Sequence, residues 1–321
     1  MKLLYLCNKH TYDTKMSRVR FHGMKAISKV ADVKWSGLNW PDWDNNLTVQ
    51  QNIDKIYSGE AWPQLVIAYK PLELKEFHRC SIPKCMRYNE MWDKRWTSRE
   101  IKESASNLII CHHLNDIPNY KDALPNVKFV NVSHCAEKTF FKDWKEPKQC
   151  DVLLSGAVSR YYPFRQRLHH LIHSKLHSVV SCKILSHPGG DLKNLRSRSA
   201  ILAEYSKEIN RAKINLTCSS KFKYRLGKYI EIPMSGSLLA ADLPDEDQDF
   251  FKQFMLVLSP SDSDDTLVQK IVHYVKNDDE RQKLVDKGIE LNRQYTQEDY
   301  ARRFINEVET FLREHNEGRY Q

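Results

Sequence analysis

The chain has 321 residues, 41% of them hydrophobic and 28% charged, with a formal net charge of +9. That length suits about two ordinary domains, and the composition excludes a disordered chain, a collagen-like repeat and a small disulfide-stapled scaffold. Ten glycines are present, no two of them separated by a single residue, which excludes a G-x-G-x-x-G dinucleotide loop and a P-loop.

In chain order, short apolar runs alternate with amphipathic stretches. Leu3–Cys7 reads as a strand, Lys15–Val30 as a helix, Asp32–Ser36 as a strand and Val49–Tyr57 as a helix. Strands follow at Leu65–Tyr69 and Cys85–Tyr88, then a helix at Ser98–Ser106 and strands at Leu108–His112 and Val127–Ser133. The polar, proline-bearing run Lys142–Lys148 has no periodicity and is the predicted domain boundary. Behind it the alternation restarts. Strands are predicted at Asp151–Ser155, Val179–Leu185, Lys213–Cys218, Ser237–Ala241 and Met255–Leu258. Helices are predicted at Pro163–Leu176, Arg198–Asn210 and Tyr224–Met234, with a Pro188-Gly189-Gly190 turn and three closing helices near 264–276, 279–294 and 297–315. Repeated β-α-β order implies parallel sheets covered by helices on both faces. The expected fold is therefore α/β: two Rossmann-like domains, 1–147 and 148–296, their parallel sheets facing across a cleft. A last helix, 297–321, is expected to pack back toward the first domain.

Charge is uneven. Residues 160–228 carry 15 Lys+Arg against 3 Asp+Glu, and residues 229–321 carry 11 against 20. A basic middle beside an acidic tail points to a local anionic ligand. Eight cysteines include no C-x-x-C pair, and His78, Cys80 and Cys85 lack a fourth zinc ligand, so reduced, intracellular thiols are expected. No apolar run approaches the ~18 residues of a membrane span, so no transmembrane segment and a cytoplasmic location are expected.

The chemistry concentrates in Ser219–Ser237, between two predicted strands. On a helix from Tyr224, the residues Tyr224, Lys228, Glu231 and Ser235 share a face, and Gly236 ends the helix. Lys221, Lys223 and Arg225 cluster at its start, where free N–H groups also attract anions. Cations followed by an acid suit a diphosphate followed by a ribose. The plainer reading is a surface pair between Lys228 and Glu231.

Lys228-Tyr229-Ile230-Glu231-Ile232-Pro233-Met234-Ser235-Gly236-Ser237 resembles the donor-site helix of GT-B glycosyltransferases, of the group-1, CgeB-like branch. Asp151–Gly156 with Tyr162-Pro163-Phe164-Arg165 is similar to the strand and loop that open that branch's donor domain, and Asp279-Glu280-Arg281 through Tyr295-Thr296 to its closing helices. The resemblance covers about residues 150–315. It implies transfer of a hexosyl or pentosyl group from a nucleotide-diphosphate sugar, of UDP or GDP type, to a glycan or glycoconjugate hydroxyl, with no metal and no separate cofactor. It implies Glu231 on the ribose, Arg225 and Lys228 on the departing diphosphate, and Gly156, Arg165, Tyr224, Ser235 and Gly236 around the nucleotide. Lys223 stands where retaining members often carry a second acid.

The first domain should then take the acceptor. Glu90 and Asp93 follow a strand and are candidate bases, and Trp92 between them suits a sugar ring. Asp93 could equally cap the next helix. His10 and Asp13 follow the first strand and are further acceptor-side candidates, with His22 and His113 behind them. Asp42-Trp43-Asp44 and Asp262-Ser263-Asp264 match a metal-binding D-x-D pattern that arises readily by chance. Two other readings compete: a non-catalytic sugar or nucleotide binder of the same architecture, and a nucleic-acid-binding protein using residues 160–228.

Overall fold

A computed structural model describes residues 1–14, 23–185 and 198–320. The chain divides into two compact units, Met1–Ser133 with Glu298–Gln321, and His134–Gln297. His22, with the rest of residues 15–22, and the Pro188-Gly189-Gly190 turn lie outside the described residues.

In the first unit the order is β1 (Lys2–Leu6), α1 (Lys9–Thr14), α2 (Met24–Ile27), β2 (Asp32–Ser36), α3 (Val49–Ile56), β3 (Leu65–Ala68), β4 (Lys84–Tyr88), α4 (Lys94–Ser104), β5 (Leu108–Cys111) and β6 (Lys128–Asn131). All six strands are parallel, in the order β2-β1-β3-β4-β5-β6. Leu3, Leu4, Leu65, Val66, Ile67 and Leu108 are fully buried, because a parallel sheet covered on both faces hides both sides of its central strands.

The second unit runs β7 (Cys150–Ser155), α5 (Pro163–Ser174), β8 (Cys182–Leu185), α6 (Arg198–Asn210), β9 (Ala212–Leu216), α7 (Lys228–Met234), β10 (Leu238–Ala241), α8 (Gln248–Phe251), β11 (Leu256–Val257), α9 (Asp264–Lys276) and α10 (Asp278–Asn292). Its five parallel strands lie in the order β11-β10-β9-β7-β8. Side chains alternate across the sheet. Val152 and Leu154 pack with Phe164, Leu168 and Leu171 of α5 and with Leu267 and Ile271 of α9. Leu153 points the other way, into a core with Ile209 of α6 and Tyr229, Ile230 and Ile232 of α7. The chain leaves β7 toward β8 on one side and meets β9 on the other, so the switch point of this sheet lies between the ends of β7 and β9.

The domain limit predicted at residue 147 falls instead between Ser133 and His134. Residues 134–147 are not a linker, because their apolar members fold onto the second sheet. Phe141 is buried in the core beside Leu153 and Tyr229, the Ala136 N–H donates to the Tyr295 carbonyl at 2.9 Å, and Trp144 Nε1 donates to Ser206 Oγ at 3.0 Å. The last helix, α11 (Gln297–Asn316), belongs to the first unit from Glu298 onward. Phe304, Val308 and Phe311 on it are fully buried, Tyr300 OH accepts from Arg87 Nε at 2.9 Å, and Glu314 pairs with Lys128 at 2.6 Å. Gln297 stays with the second unit, where Oε1 accepts from the Lys138 N–H. Among the described residues no helix is long and apolar enough to cross a membrane.

Candidate active site

Strand β7 ends at Ser155, and Gly156 turns the chain away with φ +105°. A Cβ there would stand 2.9 Å from Arg165 Nη1 and 2.9 Å from Lys228 Cε. Glycine therefore does two things at once: it adopts a backbone that side-chain-bearing residues avoid, and it leaves room for two cations to reach the turn. Arg165 comes from the first turn of α5, whose helical path Pro163 pre-sets. Lys228 is the first residue of α7.

Arg165 is 2% exposed. Its Nη1 donates to the Ala157 carbonyl at 2.9 Å, its Nη2 to Thr217 Oγ1 at 3.0 Å, and its guanidinium lies 4.3 Å over the Tyr162 ring. Its Nε has no hydrogen-bond partner. Because Ala157 follows β7 and Thr217 follows β9, the guanidinium bridges the two loops at the switch point, where open α/β sheets take their ligands. Lys228 Nζ donates to Ser155 Oγ at 3.1 Å and to Tyr205 OH, and sits 4.6 Å over the Tyr205 ring. All these acceptors are neutral. Among the described residues neither cation has a carboxylate within 4.0 Å. Two positive charges held partly out of water without a counter-ion attract an anion far more strongly than solvated lysines do. Glu231, one turn along α7, is 6% exposed, and its Oε1 lies 3.5 Å from the position of a Cβ on Gly227, at the helix start. The surface Lys228–Glu231 pair is not formed.

Other cations of the basic stretch 160–228 are paired. Arg167 meets Asp264, Lys175 meets Asp265, Lys213 meets Asp151, and Lys183 and Arg211 share Glu208. The acidic tail thus answers part of the positive middle within one unit.

Helix α7 begins at Lys228, four residues later than predicted. Ser220 and Lys223, just ahead of the expected start, have φ +69° and +56°, and the Tyr224 N–H is used in a turn onto the Ser219 carbonyl at 2.7 Å. The Glu231 N–H donates to the Gly227 carbonyl at 2.9 Å where the helix begins. Tyr224 and Arg225 therefore lie in the loop, off the face that carries Lys228 and Glu231. Tyr224 is buried and stacked on Phe222, ring centroids 5.3 Å apart. Lys223 pairs with Asp242 at 2.9 Å. Arg225 is 1% exposed; its Nη1 meets Asp247 at 2.8 Å and its guanidinium lies 4.2 Å over Tyr295, while Nε and Nη2 have no partner. Ser235 and Gly236 face another way. Ser235 Oγ donates to the Glu231 carbonyl at 2.7 Å, Asn210 Nδ2 donates to the Ser235 carbonyl, and a Cβ on Gly236 would stand 2.8 Å from Asp143 Cγ. They tie α7 to α6 and to the segment before β7.

Among the first-unit candidates, His10 is exposed, with its N–H donating to Asn8 Oδ1, and Asp13 pairs with Lys9 at 2.7 Å. Asp93 Oδ1 accepts from the Trp96 N–H at 3.0 Å and caps α4. Glu90 and Trp92 line a cavity of about 480 Å³. His113 is fully buried. Its neighbour His112 is held by Arg87 Nη2 at 2.6 Å; since arginine only donates, His112 accepts at Nε2 and gives its Nδ1–H to the Val132 carbonyl. In the two D-x-D triplets, Asp42 accepts from Ser36 Oγ, Asp44 from the Asn46 N–H, Asp262 from Lys270 and Asp264 from Arg167. Among the described residues no three His, Cys, Asp or Glu side chains gather as metal ligands, and all eight cysteines are free thiols.

Thr217, Tyr205 and Asp242 are site-region residues that the sequence reading passed over. Asp242 carried a usable signal, an acid directly behind the buried run Leu238–Ala241. Its carboxylate takes the Ser219 N–H at 2.9 Å, the Ser219 hydroxyl at 2.6 Å and Lys223. Tyr205, half-buried on α6, and Thr217, one residue past β9, carried none.

A family model described as "Glycosyl transferase-like" matches residues 141–308. No curated protein matches the chain in sequence. Among solved structures, sucrose-phosphate synthase from Thermosynechococcus elongatus is similar with TM-score 0.62 at 10% identity, over 97% of this chain and 99% of that one. Alr3699/HepE from Anabaena, solved in complex with UDP and glucose, gives 0.61 at 11% identity, over 97% and 100%. A glycosyltransferase from Rickettsia africae gives 0.59 at 11%, over 97% and 98%. The shared fold is GT-B: two α/β units, each built on a parallel sheet.

Proposed function

Because this chain belongs to the glycosyl transferase-like family and is a glycosyltransferase, we propose that it moves a sugar from a nucleotide-diphosphate donor to a glycan or glycoconjugate hydroxyl, with the diphosphate at the Gly156 turn between Arg165 and Lys228. Glu231, next along α7, accepts hydrogen bonds from the ribose hydroxyls. The observation that carries this reading is the pair of cations with neutral partners only, one turn from a buried carboxylate. The UDP and glucose found with Alr3699/HepE support a donor of that type.

In the reaction the bond from the anomeric carbon to the phosphate oxygen breaks. Positive charge grows on the sugar and negative charge on the departing diphosphate. Lys228 and Arg165 stabilise that negative charge more in the transition state than in the ground state, and do so as side chains in place of a divalent ion. Arg225 is less suited to this role than its position in the sequence suggested, since Asp247 already answers its charge. Of the two acids expected as base, Glu90 keeps that role here; Asp93 is occupied as a cap.

The test is thermal melting with UDP, GDP, CMP and dTDP and their sugars, since a ligand at 100 times its Kd adds about 2.7 kcal/mol. One nucleotide should raise the melting temperature of the protein, and Glu231→Gln, which keeps the shape and removes the charge, should lose most of that rise. A rise of full size in Glu231→Gln would remove Glu231 from the ribose.

A further inference from the structure

The stem of Lys228 lies against the Gly156 turn, its Cε 2.9 Å from where a Cβ on that glycine would stand. A lysine stem is flexible, so contact with the turn does not by itself fix the charge at its end. Two hydroxyls do that. Lys228 Nζ donates to Ser155 Oγ at 3.1 Å and to Tyr205 OH, and the two hydroxyl oxygens stand 3.2 Å apart. The three polar atoms close a triangle at the end of β7.

An ammonium carries three protons and accepts none. Two of those on Lys228 go to Ser155 and Tyr205, and among the described residues Nζ has no further acceptor. With two directions set, the third N–H has a fixed direction as well. It remains for a ligand.

Tyr205 is itself held in place. It comes from α6 and is half-buried, and its ring meets Phe141 edge-on with centroids 6.1 Å apart. Phe141 is buried, on the segment before β7 that folds onto this sheet. A packed ring keeps its hydroxyl in one place, where a serine or threonine on the same helix would not reach so far. The hydroxyl is also the right chemistry for the task. A carboxylate at that point would orient the ammonium but cancel the charge that draws a phosphate, whereas a neutral oxygen orients it and leaves the charge whole.

We propose that Tyr205 is the positioning residue of the donor site, holding Lys228 so that its third ammonium proton meets a phosphate oxygen of the bound nucleotide. The assignment rests on the donor reading above and adds a residue that acts through Lys228. The test is titration calorimetry with UDP, GDP and dTDP on the wild type, Tyr205→Phe, Lys228→Met and the double variant, each checked for native melting and circular dichroism. Tyr205→Phe keeps the ring against Phe141 and removes only the hydroxyl. Its affinity for the diphosphate that the wild type binds should fall about tenfold, the scale of one hydrogen bond to a charged group. In the Lys228→Met background the same substitution should change nothing further, because a residue that acts through Lys228 then has nothing to hold. Wild-type affinity in folded Tyr205→Phe, or the full loss persisting in the Lys228→Met background, would overturn the proposal and leave the donor reading standing. Failure of all three diphosphates to bind the wild type would overturn the donor reading, and this assignment with it.

Discussion

Gly156 shows how one missing side chain can organise a site. Its φ of +105° and the 2.9 Å approach of both Arg165 Nη1 and Lys228 Cε leave no place for a methyl group. Gly156→Ala should cost about 1–3 kcal/mol of stability through backbone strain alone. Both contacts are with the ends of long side chains, so the fold should survive by moving them. The larger effect should then fall on ligand binding: nucleotide affinity should drop at least tenfold, readable as a smaller melting shift at fixed ligand concentration. An equal affinity in folded Gly156→Ala protein would mean that the two cations do not act at that turn.

Elements were far more legible in the sequence than their ends. Strand Asp32–Ser36 and helices Arg198–Asn210 and Asp264–Lys276 have the bounds the sequence suggests; for Asp264–Lys276 the cap and the periodicity agree, since Ser263 accepts from the Thr266 N–H just ahead of the first apolar-periodic residue. The start of α7 was not legible. A turn runs past the expected start: the Tyr224 N–H bonds back to the Ser219 carbonyl behind the left-handed Ser220 and Lys223, and Asp242, distant in sequence, pins that turn. The Glu231 N–H bonds to the Gly227 carbonyl at the true helix start. Gly156, Arg165, Lys228 and Glu231 were singled out from the sequence and do come together. Arg225 was singled out for its charge, which Asp247 already meets. The helix α4 was predicted to start at Ser98, yet Asp93 caps it five residues earlier. Asp93→Ala should therefore lower stability by about 1 kcal/mol in urea unfolding and leave the rate of glycosyl transfer near that of the parent. A hundredfold fall in kcat with unchanged stability would make Asp93 the base instead.

At the scale of the whole molecule, the first unit is assembled from two separate stretches of chain. Phe304 of α11 is fully buried in it, so Phe304→Ala should cost about 3–5 kcal/mol, and the cost should fall on one unit. Amide exchange should quicken along β1 and β5 and stay unchanged along β7 and β9; equal acceleration in both sheets would show that the units unfold together. The same arrangement governs the order of synthesis. The ribosome completes the six strands of the first sheet early but releases the helix that covers part of their core only after all of residues 134–297 has been made. The later-encoded unit can finish folding while the earlier one still waits with greasy surface open, which is when a chaperone would have most to hold.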